Sequence, residues 1–315
     1  MIPNRPVRLR RVTAGVVSSG PGDARLADVK LALAGAGRAG RAFARSWIGA
    51  GGRIAFVIRR DAKTAPPPEL AGVPSVVVKA AGSEPGTEHC DVLVLAVSDD
   101  AIESVAAELA GRLSCGIGLH LSGALPGEAL APLARRGAAV GSLHPVRPFT
   151  GAAGEDWRGS FVAVEGDARA VETATAIARA VGARPHNLST SAKPLYHAAA
   201  SLAAGGTAAV VSVAVEAWKA AGVPEDTARE VLSGLAERAV AATGRRPFRE
   251  AFTGAVARRD VGTVRAHTEA LSRYPGALEL YRAFAEEILR RTHGLGKEQE
   301  IRDVLARVGS SERVP

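Results

Sequence analysis

Cysteine is nearly missing from the 315-residue sequence, which holds only Cys90 and Cys115. Two cysteines in apolar, strand-like settings cannot build a disulfide framework, and this fits a reducing cytoplasm. Aromatic residues reach only 4%, too few for base-stacking platforms. Lysine is scarce as well, with six against 34 arginines. The formal charge of +8 suggests a nucleic-acid partner, but its distribution argues against one. Residues 1–28 carry five arginines against two aspartates, so +3 of the surplus sits there. Elsewhere the signs interleave without a basic stripe, and no nucleic-acid partner is expected. No uninterrupted apolar run reaches the roughly 18–20 residues of a membrane helix, so no membrane partner is expected either. The longest candidate, 198–218, holds Ser201, Gly205, Gly206, Thr207, Ser212 and Glu216 and reads as a buried protein helix.

What is there is organised in blocks. Residues 1–28 are rich in Pro, Gly and Arg, lack apolar periodicity and lack a secretion-signal core, so they read as a disordered extension. From 29 the texture changes. Near-continuous apolar strands are predicted at 29–34, 53–58, 75–78, 91–97 and 116–121, with helices after the first and at 99–112. Residues 161–165, 168–181 and 184–188 form one further strand–helix–strand unit. This alternation implies a parallel sheet covered on both faces. Beyond 189 strand signals stop, and helices are predicted at 193–221, 224–242, 246–259, 261–272 and 275–291. The domains expected are therefore 29–189 (α/β) and 190–294 (all-α), with 295–315 a charged tail containing at most a short helix.

The most specific motif is Gly35-Ala36-Gly37-Arg38-Ala39-Gly40. It directly follows a buried strand and opens a helix, the context in which GxGxxG marks a Rossmann-type doubly wound sheet that binds a dinucleotide. The first glycine permits the tight turn, the second lets the backbone approach a pyrophosphate, and the third lets helix pack on strand. Free N–H groups at the helix start would face the phosphates. The second strand ends in Phe56-Val57-Ile58-Arg59-Arg60, with no carboxylate before Asp61. Two guanidinium groups suit a 2′-phosphate, which selects NADP(H) over NAD. The fourth strand ends in Val97-Ser98-Asp99-Asp100; Val97 and Ser98 are expected over the nicotinamide ribose, and the aspartates as helix caps.

Three clusters place polar groups in apolar surroundings: His120 with Ser122 and Gly123, Ser142 with His144, and Lys193 with Tyr196 and His197. Pro194 suits a first helical turn, so Lys193 and His197 lie four apart at a helix mouth. Hydride delivery to a C=O or C=N carbon calls for a proton on the heteroatom, which lysine or histidine can donate. Ser122 and nearby backbone N–H groups can hold a carboxylate or an oxyanion. Tyr196 reads as core, and His267 and His293 as solvated. No zinc-ligand spacing and no GxSxG elbow occur.

The order of AGAGRAG (34–40), LAVSDDAI (95–102), HLSGAL (120–125), GSLHPVRPF (141–149), KPLYHAAA (193–200) and TGAVARRD…H (253–267) resembles Rossmann-like proteins with a DUF2520-type second domain. These are cousins of ketopantoate reductase, pyrroline-5-carboxylate reductase and the β-hydroxyacid dehydrogenases. By that resemblance Ser122-Gly123-Ala124 takes the place of a substrate-binding Ser-Gly-Gly segment. Lys193 falls on a catalytic lysine, and His197 falls where those cousins carry asparagine. The resemblance also implies a homodimer built through the helical domain.

An NADPH-dependent reductase of a small carboxylate-bearing carbonyl compound, such as ketopantoate, is the function expected. Lys193 or His197 would be proton donor, and Ser122, His144, His120 and Gly123 would position the substrate. A cyclic-imine reductase is the alternative within the same chemistry. A non-catalytic NADP-binding sensor or scaffold is the alternative outside it, motivated by Gly205 and Ala255, where relatives often carry Asn and Pro.

Overall fold

A computed structural model of the chain describes residues 26–60, 67–77 and 88–307. Most of the predicted extension, Asp61 and the end of the predicted tail lie outside these residues. The chain divides into two compact units after Ala200, eleven residues beyond the boundary expected at 189.

The first unit is one eight-stranded sheet: β1 (Leu31–Ala34), β2 (Ile54–Arg59), β3 (Ser75–Val77), β4 (Glu88–Leu95), β5 (Leu113–His120), β6 (Ala139–Pro145), β7 (Phe161–Gly166) and β8 (Arg184–Asn187). Their spatial order is β3-β2-β1-β4-β5-β6-β7-β8. Helices α1 (Arg38–Gly49), α2 (Ile102–Ala110), the short α3 (Ala131–Ala134) and α4 (Ala168–Ala180) connect them. Strand sequences such as LALA are buried at every position, as expected where helices cover both faces. One core cluster packs α1 and α4 through Phe43, Trp47 and Ile177; the other packs α2 through Ile102, Ala106 and Leu109. Leu26 joins the first of these, so residues 26–28 form a 3₁₀ turn seated on the core.

The sheet is not wholly parallel. β7 runs antiparallel to β6, and β8 runs parallel to β7. Apolar runs report burial and carry no record of strand direction, so this reversal was not predictable from them. It aligns a single row across five strands: Ala34, Leu95, His120, Ser142 and Glu165 are successive register partners. Row neighbours share a face of the sheet. The row turns polar over its last three members, where the site lies. Cys90 and Cys115 are likewise register partners on β4 and β5.

After β8 a 3₁₀ turn (Thr190–Ala192) runs into α5 (Lys193–Ser201), a π-helical turn (Leu202–Gly206) and α6 (Thr207–Ala220). This 31-residue helical stretch is long and apolar enough to span a membrane by length and composition, yet little of its most apolar part is buried. Much of the burial expected for 198–218 is therefore missing: Leu202 and Val210 are exposed, and Val215 is buried.

The second unit adds α7 (Glu225–Thr243), α8 (Phe248–Ala251), α9 (Gly254–Ala257), α10 (Val261–Leu271), α11 (Pro275–Arg291) and α12 (Glu298–Arg307). Two short helices replace the single one predicted over 246–259, because Phe252 and Thr253 are extended and Gly254 takes φ +91°. The predicted tail is also more than charge, since Ile301, Val304 and Leu305 of α12 pack into the core of this unit. Val211, Val215 and Trp218 of α6 pack with Ala228 and Leu232 of α7. His267 Nδ1 lies 3.0 Å from Tyr281 Oη, a partner where solvent was expected.

Candidate functional site

The glycine turn between β1 and α1 is shaped by close approach. Gly35 has φ +97°, and a Cβ there would stand 2.5 Å from Ala96 O. A Cβ on Gly40 would stand 2.4 Å from Gly35 O, whereas one on Gly37 would meet nothing within 4 Å. The first and third glycines are thus required by packing, and the second opens onto free space. Gly37 is the N-cap of α1, with no side-chain cap and no acidic residue in the first turn. The leading N–H groups of the helix, from Arg38, Ala39 and Gly40, remain available to an anion.

Gly35 N donates to Ile58 O at 3.5 Å, which brings the end of β2 to this turn. Arg59 follows directly, and its Nη2 is buried without a hydrogen-bond partner. A buried guanidinium nitrogen left unpaired costs free energy unless a ligand completes it. Arg60 is exposed. Val97 closes the other side, its Cγ1 lying 3.0 Å from where a Gly35 Cβ would stand. Ser98, not an aspartate, is the N-cap of the following 3₁₀ turn. Open cradle, uncapped helix start and orphaned arginine together fit a dinucleotide carrying a 2′-phosphate.

At the polar end of the register row the expected substrate residues come together, with several already engaged. His120 is fully buried. Its Nδ1 accepts from Ser122 N at 3.2 Å and its Nε2 donates to Pro126 O at 3.0 Å. Burial pulls its pKa down to about 4, so a neutral ring with both nitrogens occupied holds the loop and offers a ligand nothing. Ser122 Oγ donates to Asp99 Oδ2 at 2.8 Å and accepts from Ala124 N and Leu125 N at 3.1 and 3.0 Å. Its hydroxyl is spent on the turn, and Asp99 serves that turn instead of capping a helix.

Lys193 is only 2% exposed. Its Nζ donates to Ser142 Oγ at 2.6 Å and Ser122 O at 3.3 Å, and lies 3.6 Å from Glu165 Oε2. An ammonium has three protons, and here three acceptors surround it. Burial lowers the lysine pKa while Glu165 opposes the shift. Glu165, also 2% exposed, accepts from Thr190 Oγ1 at 2.8 Å, Gly127 N at 3.1 Å and Ser142 Oγ at 3.3 Å. Sequence reasoning missed this carboxylate. Its one signal was a charge closing the apolar run FVAVE.

One turn along α5, Tyr196 Oη lies 2.8 Å from His144 Nδ1. The rings of His144 and His197 meet edge to face at 5.6 Å. Burial, with His197 and Lys193 adding to it, lowers the His144 pKa to about 4. Burial also raises the Tyr196 pKa to about 12, so the phenol keeps its proton and can donate to His144 Nδ1. Tyr196 thus belongs to this polar cluster and not to the apolar core. His197 Nδ1 is buried without a partner. Gly123 sits against both rings: its Cβ would stand 2.5 Å from His197 Nδ1 and 2.6 Å from His144 Cε1. Among the described residues no group of three or more His, Cys, Asp or Glu is placed to hold a metal ion.

Residues 160–288 match the model of the DUF2520 domain of unknown function, and residues 30–116 match that of the NADP oxidoreductase, coenzyme F420-dependent, family. Among curated proteins none matches the chain in sequence. Solved structures with the same fold include a Thermotoga maritima protein at 19% identity and TM-score 0.67, covering 83% of this chain and 98% of its own. A Plasmodium falciparum pyrroline carboxylate reductase with NADP bound is 14% identical with TM-score 0.55, covering 85% and 99%. An imine reductase from Myxococcus stipitatus in complex with NADP+ is 17% identical with TM-score 0.51, covering 88% and 94%. At these identities the likeness concerns the fold.

Proposed function

We propose that this NADP-dependent oxidoreductase, which joins an NADP-oxidoreductase domain to a DUF2520 domain, reduces the C=N bond of a small cyclic imine with NADPH. The observation that carries the reading is the cradle at Gly37 with the unpaired Arg59 guanidinium beside it. Backbone N–H groups at the start of α1 hold the pyrophosphate, and Arg59 takes the 2′-phosphate. Bound there, the nicotinamide supplies a hydride. The chain's own work is to seat the acceptor carbon and bring a proton to its heteroatom.

The imine is favoured over the 2-oxo acid by what the first unit has already committed. The Lys193 ammonium and the Ser122 hydroxyl, the groups expected to hold a carboxylate or oxyanion, are both saturated. What remains is a neutral imidazole, a phenol and His197. Reduction of a carboxylate-bearing carbonyl such as ketopantoate is the second reading, supported by the order of motifs alone.

A second copy of the chain is the partner proposed for the exposed apolar face of the 190–220 helix. Leu195, Leu202 and Val210 are 77%, 74% and 42% exposed. Leu202 and Val210, both in the second unit, lie eight residues apart with the wider π turn between them.

The experiment is NADPH oxidation with pyrroline, pyrroline-5-carboxylate and ketopantoate, beside a fluorescence titration of NADPH alone. Saturable NADPH binding and faster turnover of the two imines are expected. Turnover of ketopantoate alone would sink the imine reading, and absence of NADPH binding would sink the whole.

A further inference from the structure

We infer that Tyr196 is a positioning residue that sets the tautomer of His144, leaving the ring proton on Nε2 as a hydrogen-bond donor to the heteroatom of the substrate's double bond. This rests on the reductase reading above and deepens it.

Ser142 and His144 stand two apart on β6 and share a face of the sheet. Lys193 and Tyr196 stand three apart on the first turn of α5, as neighbours on its surface. The two pairs meet rung against rung. Lys193 Nζ donates to Ser142 Oγ at 2.6 Å, and Tyr196 Oη lies 2.8 Å from His144 Nδ1. The first rung seats the start of α5 on β6, and the second delivers the phenol to one ring nitrogen and not the other. The His144 ring also meets Tyr196 and His197 edge to face, at 5.7 and 5.6 Å between centroids, so its orientation is held from two sides.

A neutral imidazole has one N–H and one lone pair, and a phenol has one proton to give. With the phenol donating, a single bond satisfies both the Tyr196 proton and the lone pair at Nδ1. In the reverse direction the phenol proton has no protein acceptor among the described residues. The ring itself stays neutral, because burial holds its pKa near 4, with His197, Lys193 and His120 adding to the effect. The titratable groups facing it are thus Lys193, Tyr196 and His197 on α5 and His120 at the end of β5.

The proton then sits on Nε2, which no hydrogen bond reaches among the described residues, on a ring that is only half-buried. Nε2 lies 2.7 Å from where a Cβ on residue 123 would stand, so glycine there keeps this edge of the ring clear of a side chain. A neutral imidazole N–H fixed in place polarises a C=N or C=O bond through its hydrogen bond. The atom it takes is an acceptor: the unprotonated imine nitrogen, or a carbonyl oxygen on the second reading.

The test is a double-mutant cycle of Tyr196→Phe with His144→Gln, whose amide N–H stands in for Nε2–H, beside His144→Leu, all in the full chain. It measures kcat and KM on pyrroline, NADPH affinity, and the His144 ring nitrogens by NMR, assigned by their loss in His144→Gln. The wild-type ring should show one tautomer, protonated at Nε2 with Nδ1 accepting. Tyr196→Phe should release Nδ1, let the second tautomer appear and lower kcat about 2- to 10-fold, with NADPH affinity unchanged. His144→Leu should lower kcat by roughly 10²–10³-fold, and His144→Gln should keep part of what His144→Leu loses. In the His144→Gln background Tyr196→Phe should cost nothing further. A wild-type ring protonated at Nδ1, ring signals that Tyr196→Phe leaves unmoved, or equal losses from Tyr196→Phe in both backgrounds would each overturn the inference. If NADPH binds and wild type turns over no imine or carbonyl probe, the reductase reading fails by itself, and the ring signals still decide the tautomer.

Discussion

Gly123 and His197 touch so closely that no side chain fits between them: a Cβ on residue 123 would stand 2.5 Å from His197 Nδ1. The same methyl would press on His144. Gly123→Ala should therefore spread the two imidazoles, at about 1–3 kcal/mol of stability. Urea denaturation would report that cost. Because the cradle at Gly37 lies elsewhere, NADPH affinity should stay constant while turnover falls at least about tenfold. Equal losses in both would mean that the loop supports the whole unit and not the site.

Arg59→Ala removes a half-buried guanidinium whose Nη2 is buried without a hydrogen-bond partner. Charge-assisted hydrogen bonds of this kind contribute about 1.5–3 kcal/mol. Affinity for NADPH should drop by roughly 10–150-fold, and affinity for NADH should change little. Fluorescence titration with the two cofactors measures the ratio. An unchanged ratio would mean that Arg59 does not read the 2′-phosphate.

Acid should weaken the fold before it protonates the carboxylates. His120 and His144 are held near pKa 4, against an ordinary 6.5, by burial. Between those values the unfolded chain binds protons that the folded chain refuses. Stability therefore rises with pH through this window and falls on acidification, by about 1.4 kcal/mol per pH unit for each imidazole. Denaturation midpoints at a series of pH values would show the slope, and His144→Gln should remove about half of it. A flat profile in wild type would contradict the buried, neutral assignment.

Leu202→Glu places a charge on the exposed apolar stripe. If a second copy covers that stripe, the variant should shift the mass seen by light scattering from dimer to monomer. A wild-type monomer at micromolar concentration would exclude the pairing.

How much of this was legible beforehand depends on the range of the physics involved. The glycine motif acts over six residues, and its strand–turn–helix setting is local, so Gly35, Gly37 and Gly40 could be read with their separate tasks. The burial of β1, β4 and β5 followed from continuous apolar runs. Glu165 could not be found that way, because its partners Gly127, Ser142, Thr190 and Lys193 are brought to it by the reversal of β7. The same limit explains Ser122 and His120. Their residue types suit a ligand, but only the folded loop shows that their hydrogen bonds are already used. The exposure of the 190–220 helix was missed for a related reason, since hydropathy records a wish for cover and not what supplies it.

Cys90 and Cys115 face each other across β4 and β5, in the middle of the sheet that carries the dinucleotide cradle. Burial raises both thiol pKa values, that of Cys115 to about 11, and Cys90 has no exposed surface. Thiolate is the reactive form, so at neutral pH an alkylating reagent reaches the fully buried Cys90 only when these strands part. The chain thus carries a built-in clock for the opening of its central strands, and any ligand that fastens the sheet should slow it.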